Sequence, residues 1–466
     1  MAKTNYKSAA ELRKIIADRC ESGEMNAHRR MAMLFDEGTF VEVGALLHRK
    51  KTELDQSFDE DFEPVVTGYG AVNGTLVYAF SQDFTRLSGA LGEMHAKKIV
   101  KVYDMAMRSG APIIGVFDSA GAKILEGVDA LAGYGAIMAK AAEAKYICPQ
   151  IAVIAGPCGG SDAVIARMFD LIIAVEGCSL YIAPASVLKD KDMIGADGLF
   201  SRGIASLTAK DDGEALSCVR RLVGYFGKTI ENDDDASRAV DIDEILASGE
   251  YEIRDVIAQV VDAGSFIELY GGHASHMVTG FATINSNVVG VLANDPAQKG
   301  GKLCPCAINK AADFVSLCSG HGIPLVTLVD TEGVAMMEHA EQKDISLSLA
   351  RLCSAYAGDY NGAGTKVTVV LGRAFGTAFT VMGSKALGAD VALALDSAKI
   401  AAMAPERAVE FLGDVGDESK KDEIASDWAE KFATPLEAAK SGHIDDVIAP
   451  SELRARIAAS LEMLAF

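Results

Sequence analysis

Two stretches of this chain carry chemistry in their backbone. The first, Ala111 to Gly127, reads as a buried strand (Ile113 to Phe117), an Asp118-Ser119 turn, the small residues Ala120-Gly121-Ala122 and the start of a helix. The second, Ile323 to Gly333, repeats it as IPLVTLVDTEG. Asp118 and Asp330 stand 330 − 118 = 212 positions apart, as do Pro112 and Pro324, and Gly121 and Gly333. Small residues at a strand exit let a ligand approach backbone N–H groups closely. Two such groups aimed at one point stabilise developing negative charge. Each stretch has a companion that follows a strand and opens a helix. These are Pro157-Cys158-Gly159-Gly160-Ser161 in the first half and Arg373-Ala374-Phe375-Gly376-Thr377-Ala378 in the second, where the offset is 372 − 156 = 216. One N–H from each of two loops is how an oxyanion hole is assembled.

Side-chain catalysts are not evident beside them. Ser119 and Ser161 have no His-Asp partners, so nucleophilic catalysis is unsupported. Asp118 and Asp330 end buried strands, where capping the following turn through backbone N–H groups is the simpler job. His273 and His276 form an HxxH without a third ligand nearby, so no metal is expected. No GxxxxGK[ST] or GxGxxG follows a strand, which sets aside a phosphate loop. Lys97, Lys98, Lys101 and Arg108 fall on one side of a predicted helix. In the plain reading they form a solvated face; in the functional one they hold the phosphates of an anionic cofactor such as CoA. Lys299 and Lys302, around Gly300-Gly301, invite the same thought with less weight.

The elements that position these loops are duplicated too. VTGYGAVNGTLVYAFSQD (from Val66) and VTGFATINSNVVGVLAND (from Val278) each predict two strands around a turn, at Asn73-Gly74 and at Asn285-Ser286. Asp36, Gly38, Phe40 and Glu42 match Asp262, Gly264, Phe266 and Glu268 ahead of them. Helices are expected over Met94 to Arg108, Asn309 to Ser319 and Val128 to Lys145, and a further one from Ser8 to about Phe35. Arg49 to Glu60 reads as a solvated loop, and the acidic stretch Asn232 to Glu252 as a linker. The expectation is an α/β chain of two duplicated domains, 1–240 and 241–466, each with two packed sheets surrounded by helices.

Composition narrows the partners. The chain has 466 residues, half of them apolar, and a net charge of −21, which argues against nucleic acid or an anionic membrane. Nine cysteines without a CxxC pair suit reduced thiols, and no apolar run approaches a membrane span, so a cytoplasmic protein is expected.

With these blocks in hand, the chain resembles the carboxyltransferase subunit of biotin-dependent acyl-CoA carboxylases and decarboxylases. VVTGYGAVNGTLVYAFSQDFT, DSAGAKILEGVDALAGYG, AGPCGG, KAADF, IPLVTLVDTEG and GTAFTVMGSKALGADV look like family blocks in family order, from about Ala27 to Leu412. The resemblance implies two crotonase-like (ClpP/crotonase) domains, ββα superhelices, with acyl-CoA in the N-terminal half and carboxybiotin in the C-terminal half. It puts the first oxyanion pair on Ala120-Gly121, for a thioester enolate, and the second on Thr377-Ala378, for the biotin ureido oxygen. Gly159, Gly160, Ser161, Gly376, Thr380, Lys123, Lys97, Lys98 and Lys101 would bind substrate. Biotin's own nitrogen would serve as the base. Departures stand out: Ala120, Lys123, Leu125, Glu332 and Thr380 replace the usual Gly, Arg, Gln, Pro and Asp.

The implied activity is carboxyl transfer between biotin and a short acyl-CoA, propionyl/methylmalonyl first and acetyl/malonyl next. The first alternative is the same half-reaction run as a methylmalonyl- or glutaconyl-CoA decarboxylase coupled to a sodium pump. The second is a non-catalytic subunit that binds CoA or carrier. No Met-Lys-Met biotinylation site and no ATP loop is present. The biotin carboxyl carrier protein and the biotin carboxylase, or membrane decarboxylase pump subunits, are therefore expected as other chains. A homo-oligomer is expected, at least a dimer and by family habit a hexamer.

Overall fold

A computed structural model describes residues 26–50, 62–227, 241–247, 251–358, 364–412 and 421–464, together with residues 10, 11, 14, 230 and 238. Leu12, Ile15 and Ile16 of the expected first helix, most of the loop 49–60 and most of the linker 232–252 lie outside the described residues. The chain divides into two compact units, Met1–Gly224 and Tyr225–Phe466.

Unit 1 carries strands β1 (Val41–Glu42), β2 (Val65–Val72), β3 (Thr75–Gln82), β4 (Ile113–Ser119), β5 (Gln150–Gly159), β6 (Leu171–Val175), β7 (Ser179–Tyr181) and β8 (Leu207–Ala209). They form one eight-stranded sheet in the order β1-β2-β3-β4-β5-β6-β8. Unit 2 repeats it with β9 (Ile267–Leu269), β10 (Met277–Ile284), β11 (Asn287–Asn294), β12 (Leu325–Thr331), β13 (Lys366–Phe375), β14 (Val391–Leu395), β15 (Lys399–Ala401) and β16 (Asp446–Ile448), in the order β16-β14-β13-β12-β11-β10-β9. The hairpin strands pair antiparallel and the inner strands parallel.

The two packed sheets expected in each half are corrected here to one. The long strand β5 pairs with β6 over Ile151–Ile154, then continues to pair with β7 over Pro157–Gly159. Strand β13 does the same with β14 and β15. A single strand thus supplies the second small layer and delivers its end, the helix-opening loop, beside the exit of β4 or β12.

The repeated signals have local causes. Asn73 and Gly74 take φ of 50° and 77°, and Asn285 and Ser286 take 50° and 65°, the mirror-image turn that matches strand twist. Asp36 accepts the Asn73 and Gly74 N–H groups at 3.1 and 2.9 Å; Asp262 accepts those of Asn285 and Ser286 at 2.9 and 2.8 Å. All seven residues of β4 and of β12 are buried, so both strand exits rise from fully packed cores. Helices Glu93–Ser109 and Pro305–Gly320 lead into those strands, and Val128–Glu143 follows the first.

Candidate functional site

Each strand exit is shaped by its hydroxyl residue. Ser119 Oγ accepts the Gly121 N–H at 3.0 Å, and Thr331 Oγ1 accepts the Gly333 N–H at 3.1 Å. Gly121 and Gly333 take φ of 115° and 119°, which only glycine adopts without strain. The aspartates do not cap these turns, contrary to the sequence reading. Asp118 accepts Arg30 Nη1 at 2.8 Å. Asp330 accepts the Tyr251 hydroxyl at 2.9 Å and both the backbone N–H and Nε of Arg373 at 3.0 Å. Each carboxylate fills the space of a missing side chain on the next strand. A Cβ on Gly156 would lie 2.1 Å from Asp118, and one on Gly372 would lie 2.4 Å from Asp330. The 216-residue spacing of those glycines is the signal that carried this.

The N–H groups of the expected pair on the first strand exit have partners within the fold. The Ala120 N–H is held by the Ser88 carbonyl at 2.9 Å and the Gly121 N–H by Ser119, so both are engaged within the fold. Ala120 does not take a positive φ, and its Cβ is therefore accommodated. Ala122 is bridged to Leu91: the Leu91 N–H bonds the Gly121 carbonyl and the Lys123 N–H bonds the Leu91 carbonyl, both at 2.9 Å. A parallel bridge of this kind leaves the N–H of its central residue facing away. The Ala122 N–H has no partner among the described residues. In unit 2, Val334 sits in the same bridge with Leu303, again with its own N–H unpartnered among the described residues.

At the helix openings, Gly160 and Gly376 take φ of 60° and 59°, and their N–H groups bond the carbonyls of Tyr181 and Ala401 at 2.9 Å. Behind them Ser161 and Asp162 start one helix, Thr377 and Ala378 the other, and first-turn N–H groups have no partner within their helix. The two loops of each unit are neighbours: a Cβ on Gly121 would lie 4.0 Å from the Gly159 carbonyl, and one on Gly333 3.7 Å from that of Phe375. Gly159 itself is kept small by Tyr181, whose ring a Cβ would approach to 2.9 Å. Thr377 and Thr380 line a cavity of about 520 Å³ with Gly376, Phe432, Glu437 and His443. Sequence reasoning did not single out His443, which comes from near the C-terminus.

The loops of unit 2 are clamped from outside. Arg373 bonds Asp330 and reaches Glu332 at 2.8 Å, while Lys302 meets Glu332 at 2.9 Å. Unit 1 has Pro157 and Ala120 at these places.

The lysine face also needs correction. Lys97 and Lys101 are exposed, with Lys97 paired to Glu93 at 2.8 Å, but Lys98 is buried and donates to the Val65 carbonyl. Burial pushes Lys98 down to about 8, and does the same to its counterpart Lys310. Lys123 is buried as well, against Glu126 at 2.8 Å and the Lys50 carbonyl at 3.0 Å. His276 meets the Cys304 sulfur at 3.3 Å. Among the described residues, no group of three or more His, Cys, Asp or Glu is placed to hold a metal, and no helix is long and apolar enough to cross a membrane.

Comparison with known proteins agrees with this architecture. The family described as the carboxyl transferase domain matches residues 18–465. The alpha subunit of methylmalonyl-CoA decarboxylase from Propionigenium modestum is 37% identical over 95% of this chain and 90% of its own length. The propionyl-CoA carboxylase beta chain of Roseobacter denitrificans is 35% identical over 95% and 91%. The crystal structure of the transcarboxylase 12S subunit, described as a hexamer with methylmalonyl-coenzyme A bound, superposes with a TM-score of 0.90 at 33% identity, covering 97% of this chain and 92% of that one.

Proposed function

The chain belongs to the carboxyl transferase domain family, and on that premise we propose that it moves CO2 between carboxybiotin on a separate carrier protein and the α-carbon of a short-chain acyl-CoA. Propionyl-CoA with methylmalonyl-CoA is the first pair and acetyl-CoA the next. The observation that carries this reading is the matched pair of donor loops in each unit.

In unit 1 the unpartnered N–H groups of Ala122 and of Ser161, from two neighbouring loops, take the thioester oxygen as it becomes an enolate. Gly121 and Gly160 supply the backbone conformations that aim them, and Gly159 leaves room for the approach. In unit 2, Thr377 and Ala378, helped by Val334, take the ureido oxygen. Removing one such donor raises the barrier by roughly 3–4 kcal/mol. Biotin, when bound, supplies the carboxyl group and then the nitrogen that removes the α-proton, as a C–N bond breaks and a C–C bond forms. The cavity beside Thr377 and Thr380, at about 520 Å³, is within the usual range for small-molecule sites. Lys97 and Lys101 remain on the surface for CoA phosphates; Lys98 and Lys123 support the fold beneath. Run in the other direction the same residues serve a decarboxylase, a reading favoured by the 37%-identical relative.

The carrier, a biotin carboxylase or membrane pump subunits are its proposed partners, in the cytoplasm, and a homo-oligomer, a hexamer, its proposed state. The test incubates purified protein with free biotin and malonyl-, methylmalonyl- or glutaconyl-CoA and follows loss of the acyl carboxylate. Biotin-dependent loss from one substrate supports the reading and names the acyl group. No loss from any, even with biotinylated carrier added, overturns it in favour of a non-catalytic binding subunit.

A further inference from the structure

Unit 1 contains a buried polar network that has no counterpart among the described residues of unit 2. Asp162, in the first turn of helix Ser161–Ala166, is fully buried. One of its oxygens accepts Gln82 Nε2 at 3.1 Å and the other accepts the Tyr134 hydroxyl at 2.7 Å. The Ser119 side chain neighbours Asp162 and Tyr134, and its oxygen accepts the Gly121 N–H at 3.0 Å. Gln82 Oε1 in turn accepts the Asp118 N–H at 3.1 Å. One carboxylate on the helix-opening loop is therefore connected to the strand exit through Gln82, with Ser119 beside it. The matching residues of unit 2 are Ala378, Thr331 and Asn294, so no carboxylate can do this there. A buried carboxylate is costly even when hydrogen-bonded, and a fold that needed only packing would use an apolar residue.

We propose that Asp162 is a positioning residue for the acyl-CoA half of the reaction: it fixes the separation of the Ala122 and Ser161 N–H donors by tying the helix opening, through Gln82, to the strand exit at Asp118. This rests on reading unit 1 as the half that stabilises the enolate. A displacement of about 1 Å in such a pair costs on the order of a hundredfold in rate. The groups facing Asp162 are Gln82 on β3, Ser119 on β4, Cys158 on β5 and Tyr134 on helix Val128–Glu143. Burial holds the carboxyl up at about 6 against the hydrogen bonds of Tyr134 and Gln82. Ionised, it accepts from both. Protonated, it must donate from one oxygen, and its hold on these two donors is weakened.

The test compares the full-length wild type with Asp162→Asn and Tyr134→Phe. Amide hydrogen exchange is read in peptides covering 118–124 and 158–164. Asp162→Asn should speed exchange at both by about tenfold or more, Tyr134→Phe less, and neither should change 330–336 or 374–380. With methylmalonyl-CoA and free biotin, kcat should fall about 10- to 100-fold in Asp162→Asn while KM stays within about threefold, and the loss of rate below pH 6 should vanish. Unchanged exchange in both variants of an active enzyme, or a raised KM with kcat intact, overturns the positioning role alone. A wild type inactive on every acyl-CoA overturns the enolate reading, and with it the catalytic part of this assignment; the exchange data then still decide whether Asp162 ties the loops. If Asp162→Asn does not fold, Tyr134→Phe decides both points.

Discussion

Arg30 donates to Asp118 at 2.8 Å across 88 positions of sequence, and both side chains are almost fully buried. Burial raises the Asp118 pKa and Arg30 offsets that; Arg30 also holds Asp212 at 2.8 Å. Asp330, at the matching place, is instead met by Arg373, whose side chain is a third exposed. The two pairs should therefore weigh differently. Arg30→Met leaves a buried carboxylate without its cation and should cost about 3–5 kcal/mol in denaturant unfolding. Arg373→Met leaves Asp330 its bonds to the Tyr251 hydroxyl and the residue-373 N–H, and should cost less, about 1–2 kcal/mol. Equal losses would refute the distinction.

The donor assignment predicts a separable pair of proline variants. Thr377 is the first residue of its helix, where proline is well tolerated, so Thr377→Pro removes one N–H and little else. Ala122→Pro likewise deletes an N–H that has no partner among the described residues. Each should lower kcat by about 10²–10³-fold with an unchanged circular dichroism spectrum. Ala120→Pro, by contrast, breaks the bond to Ser88 and should show first as lost thermal stability. Full activity in Ala122→Pro would sink the assignment.

Restoring the family's glycine at 120 tests whether this loop is impaired. Because Ala120 does not take a positive φ, Ala120→Gly relieves no strain and adds only freedom to the unfolded chain. Stability should fall by about 0.4–1 kcal/mol and kcat should not rise. A higher kcat would mean that the methyl group obstructs substrate.

The hairpins, the buried strands and the helices leading into them were legible because apolar alternation and Asn-Gly chemistry act locally and occur twice. The N–H left unpartnered at the strand exit, among the described residues, was not. Which N–H is left over at the strand exit depends on Leu91, thirty-one positions before Ala122, and only the bridge between them engages Lys123 and frees Ala122. Lys98 was misplaced on the solvated face for a simpler reason. Adjacent helical residues point about 100° apart, so Lys97 and Lys98 diverge, and Lys98 joins the buried row of His95, Val102 and Ala106. Its pairing with Lys310 at the 212 offset was the available sign that it belongs to the scaffold.

These two lysines give the stability a pH dependence. Both are lowered from 10.5 to about 8, chiefly by burial. The unfolded chain thus binds more protons than the folded one between those values, and stability should rise as pH rises through 8 toward 10.5. The gain is at most about 3 kcal/mol for each lysine. Glu63 works at lower pH: burial raises it to about 7, so its contribution is greatest below 4.5 and is lost as pH rises through 7. Urea unfolding at pH 5, 7, 8 and 9.5 checks both. A flat profile above pH 8 would mean that the lysines are solvated.

The proposed oligomer accounts for exposed apolar side chains on each unit. Ile124 and Val128, just past the first strand exit, are 88% and 76% exposed, with Leu131 beside them in sequence at 58%. Met336, the residue 212 positions after Ile124, is 95% exposed, and Met337 and Leu347 follow at 55% and 58%. Large apolar side chains gathered at duplicated places beside the donor loops suit a surface that another copy covers. A charge at such a place must be desolvated on association, which costs far more than the lost apolar contact. Ile124→Asp and Met336→Asp should therefore each shift the protein toward smaller species in analytical ultracentrifugation, while Met33→Asp, at a single exposed methionine of helix Asn26–Leu34, should not. Since both residues flank donor loops, turnover should fall with the oligomer and return as protein concentration is raised. Unaltered sedimentation in both variants would mean that these side chains face solvent in the working enzyme.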